Sequence, residues 1–167
     1  SAANQPSDIN LAKGAVAAAK DLAQTLNQAT AKTQGVRANA DVEIDTSVKT
    51  INALLAQFDH ANHAAISGTA RGGDISDALD NRDKIVAKLS RELGVSTVVR
   101  ANNDMAIYAD NGSPLYERGA RPVTFAPIAA YGPGTVGNAV YLDGVQVTGK
   151  GSLMPLQAGR IVGQMTA

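Results

Sequence analysis

The sequence predicts an α+β fold: a long α-helix with shorter packed helices, a partial helical bundle, beside a small antiparallel β-sheet of hairpins. Three observations predict it. One apolar line of helical period runs from Leu11 to Ala65, a second helical segment ends at Gly94, and from Val95 the period changes to two with turn residues between the runs. The chain has 167 residues, which suits one domain. The expectation is a single α+β unit over 1–167: long helix 7–66, second helix 74–93, antiparallel hairpins 95–148 and a last helix 154–167.

The first element carries the argument. Leu11, Ala15, Ala18, Leu22, Leu26, Ala29, Thr33, Val36, Ala40, Ile44, Val48, Ile51, Leu55, Phe58, Asn62 and Ala65 advance by about 3.6 residues a step, and only Thr33 and Asn62 are off type. Lys13, Lys20, Gln24, Asn27, Gln28, Lys32, Glu43, Asp45, Lys49, Gln57 and His60 lie on the other side, so one stripe is dry. After Pro6, Ser7 is placed as N-cap with Asp8 at the positive end of the helix dipole. Ser67-Gly68 is placed as the stop. An unbroken helix of about 59 residues is roughly 88 Å long, whereas a compact domain of this length has a radius of gyration of about 15 Å. The remaining helical segments, roughly 50 Å together, cover little more than half the stripe, so outside partners must cover the rest. The competing arrangement breaks at Gly35, with Gly14 a second weak point, and folds into an antiparallel hairpin that buries its own stripe. A mid-helix glycine costs only about 1 kcal/mol against alanine, and the stripe passes Gly35 in phase, which favours the unbroken helix.

Arg71-Gly72-Gly73 is a flexible connection. Asp74 with Asp77 offers a weaker relative of the capping box. Leu79, Arg82/Asp83, Val86, Leu89 and Leu93 follow at helical spacing, and Gly94 is placed as the C′ glycine. This amphipathic helix should lie against the first. Val95, Thr97 and Val99 then alternate with Ser96, Val98 and Arg100. Asn102-Asn103-Asp104 turns the chain into Met105–Ala109, and Asp110-Asn111-Gly112 turns it into Leu115-Tyr116. Arg121–Ala126 reads as a further strand and 127–138, around Gly132-Pro133-Gly134, as a surface loop. Ala139–Leu142 and Val145–Thr148, joined by Asp143-Gly144, give the strongest hairpin signal. Gly149-Lys150-Gly151-Ser152 leads into the last helix, with Pro155 in its first turn and Met154, Ala158, Ile161 and Met165 on one face.

Composition narrows the function. Fifteen basic and fifteen acidic residues give zero formal charge, so nothing argues for nucleic acid or an anionic membrane surface. Cysteine is absent, which removes disulfides and thiol chemistry. No apolar run approaches the roughly 20 residues of a membrane span. Asp59, His60 and His63 cluster on the long helix, but with no third ligand for a metal they read as a solvated face or a subunit contact. Asp80, Arg82 and Asp83 form a charged knot in which acid/base work is conceivable. An arginine fork reaching a carboxylate or exposed carbonyls at the base of the long helix is the better account. The glycine-rich segments at 132–134 and 149–152 fail the phosphate-loop spacing, and Ser7, Ser67 and Ser152 sit in no nucleophile elbow. No catalytic, cofactor-binding or metal site is expected.

The string Asp74 to Gly94, followed by Val95 to Arg100, resembles the middle of the flagellar hook-associated protein family of the hook-filament junction. Leu79, Asp80, Arg82 and Asp83 match its Leu-Asp-x-Arg-Asp helix. Ser47 to Phe58, and Asn111-Gly112 with Leu115, fall where the family pattern places them, and Val140 to Ala167 follows more loosely. The family's terminal helices are not seen, so the resemblance implies an internal piece of a longer chain. It further implies a structural, non-enzymatic role in the bacterial flagellum, extracellular after export by the flagellar type III pathway. Partners are identical subunits and neighbouring hook, junction and filament proteins, with the piece alone monomeric. The alternative is an extracytoplasmic sensor or small-ligand module, which needs the helix folded back at Gly35 and a pocket between helices and sheet.

Overall fold

A computed structural model describes residues 6–165, with side chains from Ile9 onward. The proposed cap at Ser7 and Asp8 lies outside the described side chains. The first helix, α1, runs Pro6–Ala70 without a break over 65 residues, roughly 97 Å at about 1.5 Å per residue. It does not fold back at Gly35, where a Cβ would meet nothing within 4 Å. Threonine, poor in helices because its hydroxyl competes for the backbone, is accommodated here by back-bonding. Thr25, Thr30, Thr33, Thr46, Thr50 and Thr69 each donate to the carbonyl four residues earlier. Scattering from the chain in solution should therefore give a maximum dimension of about 100 Å; about 50 Å is the value for a chain doubled over at Gly35.

The stop falls later than Ser67-Gly68. Gly68 stays helical and lets Ile75 pack against it, since a Cβ there would sit 2.4 Å from Ile75 Cγ2. Gly72, at φ +67°, makes the left-handed turn, and the Gly73 amide returns to the Gly68 carbonyl at 3.1 Å. The second helix, α2, spans Ser76–Glu92. Asp74 Oδ1 accepts from the Ser76 amide and hydroxyl at 2.9 and 2.7 Å, and these bonds hold its carboxyl below the usual range. Gly94 is not the left-handed cap expected of it. A side chain there would strike Asp110, whose carboxylate lies 2.5 Å from the Cβ position.

One sheet was expected and two are present, each three-stranded and antiparallel. The first joins β1 (Val95–Val99), β2 (Met105–Ala109) and β3 (Pro114–Tyr116), with Val95 opposite Ala109 and Val99 opposite Met105. Its first turn holds Asn102 and Asn103 at positive φ, a conformation asparagine tolerates better than most residues. The second sheet joins β4 (Val123–Thr124), β5 (Tyr141–Leu142) and β6 (Val145–Gln146). These strands are shorter than the ranges read from the sequence. Asp143 and Gly144 both have positive φ, as a two-residue hairpin of the primed type requires. Asn52 of α1 closes the outer edge of β4. Its side chain donates to the Val123 carbonyl at 2.8 Å and accepts the Val123 amide at 3.1 Å.

The core lies beside the second half of α1. Ile44, Ile51, Leu55 and Phe58 meet Ile85 and Leu89 of α2, Leu93 just beyond it, Ile107 and Leu115 of the first sheet, and Val140 and Leu142 of the second. Phe58 and Tyr116 contact edge to face at 4.8 Å between ring centroids.

The last helix, α3, is Arg160–Met165, six residues later in starting than the expected Met154. The reason is local. Leu156 donates to the Val147 carbonyl, and Asp110 Oδ2 takes the amides of Gln157 and Ala158, so 156–158 is held as a strap. Gly159, at φ +102°, then crosses Leu93 so closely that a Cβ would lie 2.4 Å from its Cα. Gly159→Ala is expected to cost at least about 3 kcal/mol, since conformation and backbone contact both oppose it. The midpoint of urea unfolding checks this.

Candidate functional site

The N-terminal half of α1 is uncovered. Every residue from Ile9 to Thr33 is exposed. On the expected stripe Leu11 is 78%, Leu22 61%, Leu26 58% and Val36 44% accessible, whereas Ile44, Ile51, Leu55 and Phe58 on the same line are 2% or less. The same stripe is therefore core at one end and bare at the other. Ile9, Ala12 and Val16 add a shallow apolar groove of about 430 Å³, edged by Lys13 and Lys20.

A clasp sets the boundary between the halves. The loop 127–138 returns to α1 where the helix leaves the core. Asp41 is buried and its carboxylate accepts the Ile128 amide at 2.8 Å and the Tyr131 hydroxyl at 2.7 Å. Arg37 donates to the Thr135 carbonyl at 2.7 Å and its guanidinium lies 4.5 Å from the Tyr131 ring centre. Burial, then the bond to Asp41, pushes the Tyr131 phenol up to about 12. A carboxylate on the edge of an apolar stripe was the available signal for this clasp. Nothing in the loop named the residues that would answer it.

Of the polar clusters singled out in the sequence, Asp59 and Arg82 bond to other elements. Asp59 accepts the Tyr116 hydroxyl at 2.6 Å, and His63 Nδ1 lies 2.8 Å from the Asp59 carbonyl and 3.4 Å from its carboxylate. His60 is exposed. Burial first, then Asp59, raises the Tyr116 phenol to about 12. Among the described residues no group of three or more His, Cys, Asp or Glu is arranged for a metal.

The charged knot comes apart. Arg82 is buried at 4% exposure, while Asp80 and Asp83 face solvent. Arg82 Nη1 donates to the Asn103 carbonyl at 2.5 Å and to Asn62 Oδ1 at 3.3 Å. Asn62, 1% exposed, also accepts the Met105 amide at 3.0 Å and donates to Asp104 at 2.8 Å. The arginine thus reaches a carbonyl, though one in the β1–β2 turn and not at the end of the long helix. One asparagine and one arginine join α1, α2 and the first sheet.

Both glycine segments are turns. Gly134 is at φ +78° with the Thr135 amide on the Gly132 carbonyl, and Gly149 is at φ +75° with the Ser152 amide on the Gly149 carbonyl. Ser152 Oγ donates to the Gln146 carbonyl, Ser67 is exposed, and the Ser7 side chain is outside the described set. A groove of about 490 Å³ gathers Arg100, Arg118 and Arg121. Asp104 and Asp143 each lie 2.8 Å from Arg100 and Arg121 respectively, so two of its cations are already matched.

A helix that leaves its own core with the apolar face bare, and polar side chains such as Asp59, Asn62 and Arg82 that bond one element to another, define a structural module that works by packing. Residues 1–166 match the family model described as the flagellar hook-associated protein FlgK helical domain, and the chain belongs to that family. Its role is accordingly structural and hook-associated, in the bacterial flagellum. No curated protein matches the chain.

Proposed function

We propose that this chain is one α+β unit, residues 1–167, of a longer exported protein that joins hook to filament by subunit packing and performs no catalytic step. The stripe from Leu11 to Val36, bare where its continuation is core, carries this reading. It asks for identical subunits and neighbouring hook, junction and filament proteins as its cover. Export by the flagellar type III pathway and an extracellular site follow from that role. Balanced charge supports a protein partner over nucleic acid or membrane, and no described helix is long and apolar enough to cross a membrane. In dilute solution the chain by itself is monomeric.

The test places Leu22→Gln and Leu26→Gln together in the full-length protein of a motile cell. Both side chains are exposed, so the thermal midpoint of the chain should move by less than about 2 °C. Swimming should fall to the level of cells lacking the protein. Unchanged swimming with both glutamines in place overturns the proposal.

A further inference from the structure

The chain covers its strand edges with care at three places. At β3 the Tyr116–Ala120 bridge and the Arg121 amide on the Leu115 carbonyl occupy the outer side. Asn52 occupies β4. At β6, Ser152 takes the Gln146 carbonyl. Such devices keep open edges from pairing with other chains.

The edge of β1 lacks one. The Asp110 amide bonds the Gly94 carbonyl and the Arg100 amide bonds the Asp104 carbonyl, so with the observed register the even-numbered residues of β1 face β2. In an antiparallel pair the alternate residues turn their amides and carbonyls the other way. Val95, Thr97 and Val99 therefore point theirs outward, and among the described residues no bond reaches them. Ser96 to Val99 are all exposed, Val98 at 51% and Val99 at 58%. The strand carries no charge and no proline, and three of its five residues are valine.

We propose that two copies of this chain pair through the outer edge of β1, antiparallel about a two-fold axis at Thr97, forming one continuous sheet. The outward set Val-Thr-Val reads the same in both directions, so Val95 meets Val99 of the second copy and Thr97 meets Thr97. Every outward amide then finds a carbonyl. The second copy is the occupant chosen because β1 is itself uncharged and self-complementary. Five residues a side is small against the roughly 20–30 residues a side of a standard interface, so the pairing is weak, with an expected dissociation constant on the order of 10⁻⁴ M. An isologous contact closes on itself. It makes dimers of the free chain, separate from the packing proposed for the α1 arm.

Sedimentation of the chain from about 10 μM to about 1 mM should show mass rising from monomer toward dimer. Thr97→Lys alone and Thr97→Glu alone place like charges opposite each other and should each weaken pairing at least about tenfold. Their equimolar mixture should restore it. A monomeric wild type at about 1 mM overturns the proposal, as does a mixture that stays monomeric. Dimers kept by Thr97→Lys but lost with Leu22→Gln and Leu26→Gln belong to the arm and also overturn it, leaving the assembly role intact.

Discussion

Phe58→Ala is expected to destabilise the fold by about 3–5 kcal/mol, the usual cost of removing a fully buried aromatic ring. Phe58 is 0% exposed and sits where α1, α2 and the first sheet converge. Its ring meets Tyr116 at 75°, so the loss removes an edge-to-face contact as well as buried area. The neighbours have little room to close the gap, because Tyr116 is tied to Asp59 and Leu55 lies on the same helix face. Urea unfolding measures the loss. Hydrogen exchange locates it: amides of α1 beyond Ile44 should lose protection, while those from Ile9 to Thr33 should change little. A lone helical arm is held by propensity alone and exchanges quickly even in the intact chain.

That division of α1 was legible in the sequence, because stripe length and helix length are both set by a rise of about 1.5 Å per residue. An apolar line longer than the rest of the chain can cover must run bare somewhere. Which end runs bare was not legible. It depends on where the loop 127–138 lands, and Arg37 and Asp41 lie some ninety residues from the groups they hold. The hairpin at Asp143-Gly144 was readable because its two positive φ angles are a local demand. The split into two sheets depends instead on Asn52, a helix residue that takes the place of a strand.

The C-terminal segment shows the limit of periodicity. Met154, Ala158, Ile161 and Met165 have helical spacing, yet only Ile161 of the four is fully buried and Met154 is 60% exposed. Asp110 captures the amides of Gln157 and Ala158, which a helix would otherwise use, and Gly159 fits a crossing that a helix could not make. Spacing records what one face would look like if a helix formed. It carries no information about a distant carboxylate that competes for the same amides.

Thr33 and Asn62, the two polar residues on the apolar line of α1, should respond very unequally to the same change. Thr33→Leu makes the line more apolar at an exposed position whose hydroxyl bonds only its own helix, so stability should shift by less than about 0.5 kcal/mol. Asn62→Leu completes the pattern by the same logic and fills a similar volume, yet it is expected to cost about 3 kcal/mol or more. The Met105 amide loses its acceptor, and Arg82, already buried with Nε unpaired, keeps only the Asn103 carbonyl. Asp104 retains Arg100, so the loss falls on the amide and the cation. Arg82→Met on top of Asn62→Leu should then recover part of the deficit, because it removes the stranded charge while filling its space. Urea midpoints for the two single leucine variants and the double variant decide the matter: equal, small effects of the two leucines would mean that the buried bonds at Asn62 contribute nothing to joining the three elements.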